Sequence, residues 1–125
     1  MSEQILLINA VKDDSDIAAA LFFKGKDSLF GRYWGSRVDQ QFLHFETCYY
    51  QGQEYAIENG IQVFDSGAQG EHKIQRGFAP VYTYSNHWLA NEEFSRAVEN
   101  FLKDEKTHVK EYKKQAEKLL PFKKE

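Results

Sequence analysis

The chain has 125 residues, a net charge of -3 and aromatic side chains at 15% of positions, enough to build a core within one domain and too few residues for a second. Charges of both signs are interspersed, so no basic footprint for nucleic acid stands out. No apolar run approaches the ~20 residues of a membrane helix, so no membrane span is expected.

Met1-Ser2-Glu3-Gln4 lacks the basic segment and apolar core of a secretory leader, and the expected location is the cytoplasm. Ile5 to Val11 is short and mostly apolar, as in a well-covered strand. Lys12 to Asp16 is a polar turn, Ile17 to Lys24 a second strand-like run, and Gly25-Lys26-Asp27 a second turn. Ser28 to Trp34 is aromatic-rich and reads as a third strand. Short loops favour antiparallel neighbours, so the three form a meander.

Gly35 to Gln40 is a loop, and from Gln41 the period changes. Phe42, Phe45, Tyr49 and Ala56 fall on one helical stripe with Gly52 between them, and Gly60 stands where a C-terminal cap belongs. Ile61 to Asp65 follows as a short buried strand, which makes half of an α/β crossover. Ser66 to Gly77 is too rich in glycine and polar groups for a strand. Val81 to Leu89 is β-branched and aromatic and is expected to rejoin the sheet. Asn91 can cap a last helix in which Phe94, Val98, Phe101, Val109, Tyr112, Ala116 and Leu119 recur at helical spacing, and Pro121 ends it. The order βββαβ(loop)βα is a mixed α/β fold with a central sheet of about five strands.

The segment Asp65-Ser66-Gly67-Ala68-Gln69-Gly70-Glu71-His72-Lys73 carries the chemistry-bearing residues. It follows a strand that leaves a helix–strand unit, where loops of α/β sheets often bind ligands. Glu71 can take a proton from an attacking amine. Gln69 can orient a carbonyl or the amine, and Lys73 and Arg76 can neutralise a phosphate or a developing oxyanion. Gly67 and Gly70 let the backbone approach a ligand closely, and Asp65 is placed to hold the loop. The plain alternative is a glycine-containing surface loop with solvated charges. Tyr33, Trp34, Tyr49, Tyr50 and His87-Trp88 can border a groove, or simply pack. Cys48 is the only cysteine, which excludes an internal disulfide and fits a reducing compartment. Nothing near it signals a nucleophile. No metal site is expected: His44 and Glu46, two apart, point to different faces of a helix. The lysines from Lys103 to Lys124 alternate with glutamates as on a solvated helix face.

Several of these strings resemble one bacterial family. They are Phe30-Gly31-Arg32-Tyr33-Trp34-Gly35, Leu43-His44-Phe45-Glu46 with Cys48-Tyr49-Tyr50, and Gly67 to Lys73 with Arg76-Gly77-Phe78. Thr83, Ser85 and His87-Trp88 also fit. The chain is similar to Fem-like members of the GNAT acyltransferase superfamily, of the kind labelled peptidoglycan biosynthesis or recognition proteins. The resemblance implies an incomplete GNAT-like fold (the acyl-CoA N-acyltransferase fold) in one domain over residues 1–125, the C-terminal portion of a longer architecture. It implies an acyl- or aminoacyl-transferase that moves an activated acyl group to an amine, with acyl-CoA or aminoacyl-tRNA as donor and a small-molecule or peptide acceptor. Glu71, Lys73 and Gln69 would then be catalytic, and Gly67, Gly70, Arg76, Tyr33 and His87 would contact substrate. Enzymes that use acetyl-CoA carry a glycine-rich loop for the pyrophosphate where this chain has Gly35-Ser36-Arg37-Val38-Asp39-Gln40, with one glycine. Fem-type relatives lack that loop and use aminoacyl-tRNA; Lys73 with Gly77-Phe78 is similar to their Lys–Phe feature. The resemblance also implies that an upstream half, the first strand and two helices are missing. An exposed edge and self-association are the expected consequences. A non-catalytic binding module, or a vestigial one, is the alternative reading.

Overall fold

In the computed structural model, which describes residues 1–68 and 70–122, the chain opens with the expected antiparallel meander. Strand β1 spans Ile5–Lys12, β2 Ser15–Lys24 and β3 Ser28–Ser36. Asp13 and Asp14 alone join β1 to β2, both left-handed with φ of 49° and 59°. A two-residue hairpin needs that backbone to match the twist of its strands, and aspartate is among the few residues that tolerate it. Ile17 stands unmatched opposite β1 and Arg32 unmatched opposite β2, one irregularity in each ladder. The extra residue at Arg32 resets the parity of β3, so that Leu29, Gly31 and Trp34 share a face with Ala20 and Phe22.

Period-two alternation then sorts the sheet into two faces. Leu6 and Ile8 stand opposite Phe22 and Ala20, and this face holds the core of Ala20, Phe22 and Leu29. On the other face Leu7 pairs with Leu21 and Leu21 with Tyr33; Leu7 and Tyr33 are exposed.

A helical run covers the core face. It comprises α1 (Leu43–Phe45), a π turn (Glu46–Tyr50) and α2 (Gln51–Glu58). Tyr49, Gly52 and Ala56 are buried as their spacing requires. Phe42 departs from the expected stripe: it precedes the first helical residue with φ 66° and is 67% exposed, so helical periodicity does not govern it. Gly52 sets how closely α2 approaches. A Cβ there would lie 2.7 Å from the Phe64 ring and 3.2 Å from Phe22. Those two rings pack tilted, with centroids 5.8 Å apart. Gly60, φ 67°, ends the helix as its place in the sequence predicts. Its N–H donates to Ile57 O at 3.3 Å and that of Ile61 to Ala56 O at 2.8 Å, a Schellman cap that also turns Ile61 into the core. Strand β4 (Val63–Asp65) then pairs parallel with β3, Leu29 against Phe64.

The chain divides into two compact units, Met1–Gly70 and Glu71–Glu125. In the second, a 3₁₀ segment (Glu71–Arg76) occupies part of the stretch expected to be loop, and α3 spans Glu92–Glu117. Asn91 caps α3 as expected: its Oδ1 accepts the Phe94 N–H at 2.8 Å. The strand expected over Val81 to Leu89 is not formed, and among the described residues the sheet has four strands in the order β1-β2-β3-β4 instead of about five. β-propensity describes how a side chain fits a pleated, half-buried surface. Val81, Tyr84 and Trp88 are 74%, 90% and 85% exposed, so no such surface is supplied here.

Candidate functional site

The 3₁₀ segment sets out the charged side chains of the glycine-flanked motif. At three residues per turn, Lys73 and Arg76 fall on one side and Glu71 above Ile74 on another. Ile74 is buried and anchors the segment. Arg76 Nη1 donates to His72 O at 2.7 Å, which ties the guanidinium back along its own turn. The segment closes where the Gly77 N–H donates to Ile74 O (3.0 Å) and the Phe78 N–H to Lys73 O (3.2 Å). Gly77 has φ 89°, and a Cβ there would meet the Phe122 ring at 2.5 Å, so both backbone and space demand glycine.

Glu71 has a partner that sequence reasoning placed only in the helix stripe. Tyr112, on α3, donates its phenol to Glu71 Oε1 at 3.0 Å. That hydrogen bond, with lesser contributions from desolvation and the carboxylate's charge, raises the Tyr112 pKa above its ordinary value. The neighbouring Lys113 lies 5.2 Å from the Tyr82 ring centroid and pairs with Glu117, one turn on. Its hydrogen bond to Glu117 raises its pKa; desolvation opposes this, and the charges of Glu117 and Tyr82 add to the rise. His87 is exposed in the extended stretch and lies 2.8 Å, Nε2 to Oγ, from Ser85. The helical unit therefore offers an oriented carboxylate and, two residues on, the first of two cations sharing one side of a turn. The carboxylate can accept a proton from an amine and the cations can neutralise a negative charge, each on its own side of the turn.

The remaining candidates lie elsewhere. Gln69 is outside the described residues. Gly67, Gly70 and Tyr33 belong to the sheet unit. Both glycines are left-handed, with φ of 82° and 97°, and the Gly67 N–H donates to Asp65 Oδ1 at 2.8 Å, so Asp65 does hold the loop. Tyr33 lies on the outer sheet face beneath the Arg32 guanidinium, 4.7 Å from its ring centroid. Trp34 and Tyr49 pack against His44, centroids 5.3 Å away in each case, which favours packing over groove lining. Cys48 is half-buried against the core. Among the described residues, no three His, Cys, Asp or Glu side chains gather as a metal site would require.

Sequence reasoning missed a groove of about 440 Å³ lined by Asn9, Asp16, Ala19, Gly35, Ser36 and Arg37. Its only sequence signal was the polar residues at the strand ends. Two amides of the loop after β3 are engaged within the chain. The Arg37 N–H donates to Ile17 O at 2.8 Å and that of Val38 to Ser36 Oγ at 3.2 Å.

The meander and the helix–strand crossover define a mixed α+β protein. The chain belongs to the FemAB-like family, described as peptidoglycan biosynthesis/recognition, which matches it over residues 1–124. No curated protein and no solved structure matches the chain. No helix among the described residues is long and apolar enough to cross a membrane.

Proposed function

We propose that this chain is a GNAT-like domain that transfers an activated acyl or aminoacyl group to an amine in peptidoglycan precursor metabolism, in the cytoplasm. The observation that carries the reading is the Glu71 carboxylate held by the Tyr112 phenol on the turn that also bears Lys73 and Arg76. Glu71 takes the proton from the attacking amine as the amide bond forms; the bond to the donor then breaks and the proton passes to the leaving tRNA hydroxyl or CoA thiol. Lys73 steadies the oxyanion, with Gln69 orienting the amine or carbonyl and Gly67 and Gly70 leaving room for the donor. Arg76 and His87 contact substrate. Membership in the FemAB-like family supports the substrate class.

The engaged amides after β3 bear on the donor. A pyrophosphate cradle needs several N–H groups directed at the ligand. Those of Arg37 and Val38 are already used within the chain, which favours aminoacyl-tRNA over acyl-CoA. The same observation supports the second reading, a module that binds a cell-wall peptide without transfer. Both readings meet in one assay: the chain, each donor in turn, and a muropeptide acceptor bearing a free amine. Transfer that falls about 100-fold in Lys73→Ala and in Glu71→Gln supports catalysis at these residues. Transfer unchanged in both variants removes the assignment, and saturable muropeptide binding with no transfer from either donor selects the binding module.

A further inference from the structure

Helix α3 has 26 residues, about 39 Å at the α-helical rise. From Val98 a seam runs in alternating steps of four and three through Leu102, Glu105, Val109, Tyr112 and Ala116. That spacing is the heptad of a two-helix coiled coil, with Glu105 its one charged member. The two ends of the seam are partly occupied: Val98 is half-buried, Ala116 is buried and Tyr112 reaches Glu71. Residues 99–111 are all exposed, and Phe101, Leu102 and Val109 are 64%, 39% and 45% exposed. A helix of this length holds an apolar seam in water poorly without a neighbour to bury it.

The charges along α3 indicate what that neighbour is. From Glu92 to Glu105 there are five carboxylates against Arg96 and Lys103, a net charge of -3. From Lys106 to Glu117 there are four lysines against Glu111 and Glu117, a net charge of +2 with His108 neutral. We propose that α3 pairs antiparallel with α3 of a second copy of this chain. Two-fold symmetry then lays each acidic half on a basic half, twice, and opposes the two helix dipoles favourably. Glu99, beside the seam, then faces Lys106 of the other copy. A parallel pair would set acid on acid and base on base. The contact covers one side of one helix, several hundred Å² per copy at most. That lies at the small end of specific interfaces, so the dimer forms and dissociates with concentration.

Sedimentation equilibrium of the full chain, at low and at high ionic strength, tests this. A monomer–dimer equilibrium that weakens with added salt is expected. Glu99→Lys and Lys106→Glu each weaken it about threefold to tenfold, since symmetry repeats every exposed ion pair. The two swaps on one chain restore it. Leu102→Asp, at an exposed position, abolishes the dimer while helix content by circular dichroism is kept. A chain that stays monomeric at low salt, or a dimer indifferent to Leu102→Asp, overturns the proposal. Orientation is read by oxidising Glu99→Cys chains mixed with Lys106→Cys chains. Mixed 99–106 cross-links are expected, and 99–99 cross-links alone overturn the antiparallel pairing.

Discussion

Two phenylalanines summarise the difference between the units. Phe22, on β2, is 1% exposed and meets Leu6 across the sheet and Phe64 from β4. Phe101, on α3, is 64% exposed. The sheet unit is stabilised by pairings between residues distant in sequence, each fixing a neighbour's face. The helical unit relies mainly on local devices, an N-cap, a 3₁₀ turn closed by glycine and short-range side-chain bonds, beside the long-range contact of Tyr112 with Glu71. A unit of the first kind loses much when one buried ring goes, and one of the second kind loses little at a time. Phe22→Ala should destabilise the protein by about 3–5 kcal/mol, from lost transfer energy and the cavity left behind. Phe101→Ala should change stability by less than about 0.5 kcal/mol under conditions where the chain is monomeric. Urea unfolding followed by circular dichroism measures both, and equal costs would erase the contrast.

Gly52 tests the sheet unit from the opposite side. An added methyl has to displace the Phe64 ring, 2.7 Å away, and the Phe22 ring behind it. Alanine is the better helix former by about 1 kcal/mol. If the core yields easily, Gly52→Ala is neutral or stabilising. If the two rings are locked, overpacking costs about 1–3 kcal/mol and outweighs the propensity gain. The second outcome is expected, because Phe22 has no space on its sheet side.

What the sequence made legible follows the same division. The meander, the crossover helix with its Gly60 cap, β4 and the capped α3 could all be read, because each rests on a period or a cap within a few residues. The hairpin at Asp13-Asp14 was placed only to within Lys12 to Asp16, since aspartate enters the left-handed region without announcing it as glycine does. The π turn at Glu46–Tyr50 has no composition of its own. Val81 to Leu89 carries every local mark of a strand, yet a strand requires a partner edge that local residues cannot specify. At the candidate site, Glu71, Lys73 and Arg76 were recognisable from residue type and glycine spacing. Tyr112 was not: it is 41 residues from Glu71, and in a helix stripe it reads as packing.

The helical unit's local devices should fail one at a time. Asn91→Ala removes the side chain that accepts the Phe94 N–H and should cost about 1 kcal/mol. Asn91→Asp should preserve the cap and add a charge favourable to the N-terminal dipole. Helix content at rising temperature measures both. An alanine variant as stable as the parent would mean that the first turn of α3 contributes nothing to stability.

The smallest expected effect bears most directly on the site. The fold favours the neutral Tyr112 phenol, so its folded pKa stands above the unfolded 10.0. Stability from this contact is fully present below about pH 10 and is lost as pH rises through the folded pKa. Lys113 acts in the same direction: Glu117 raises its pKa above 10.5, and that contribution too fades on the alkaline side. Both groups are solvent-accessible, so the effect should appear as a titration shift before it appears in a melting curve. A ¹³C titration of the tyrosine ring Cζ carbons should place Tyr112 above its ordinary value. In Glu71→Gln the shift should shrink, because the carboxamide carries no charge and is the weaker acceptor. If Tyr112 titrates identically in both proteins, the phenol does not hold Glu71 in solution. The carboxylate would then lack the orientation that sets this turn apart from a surface loop with solvated charges.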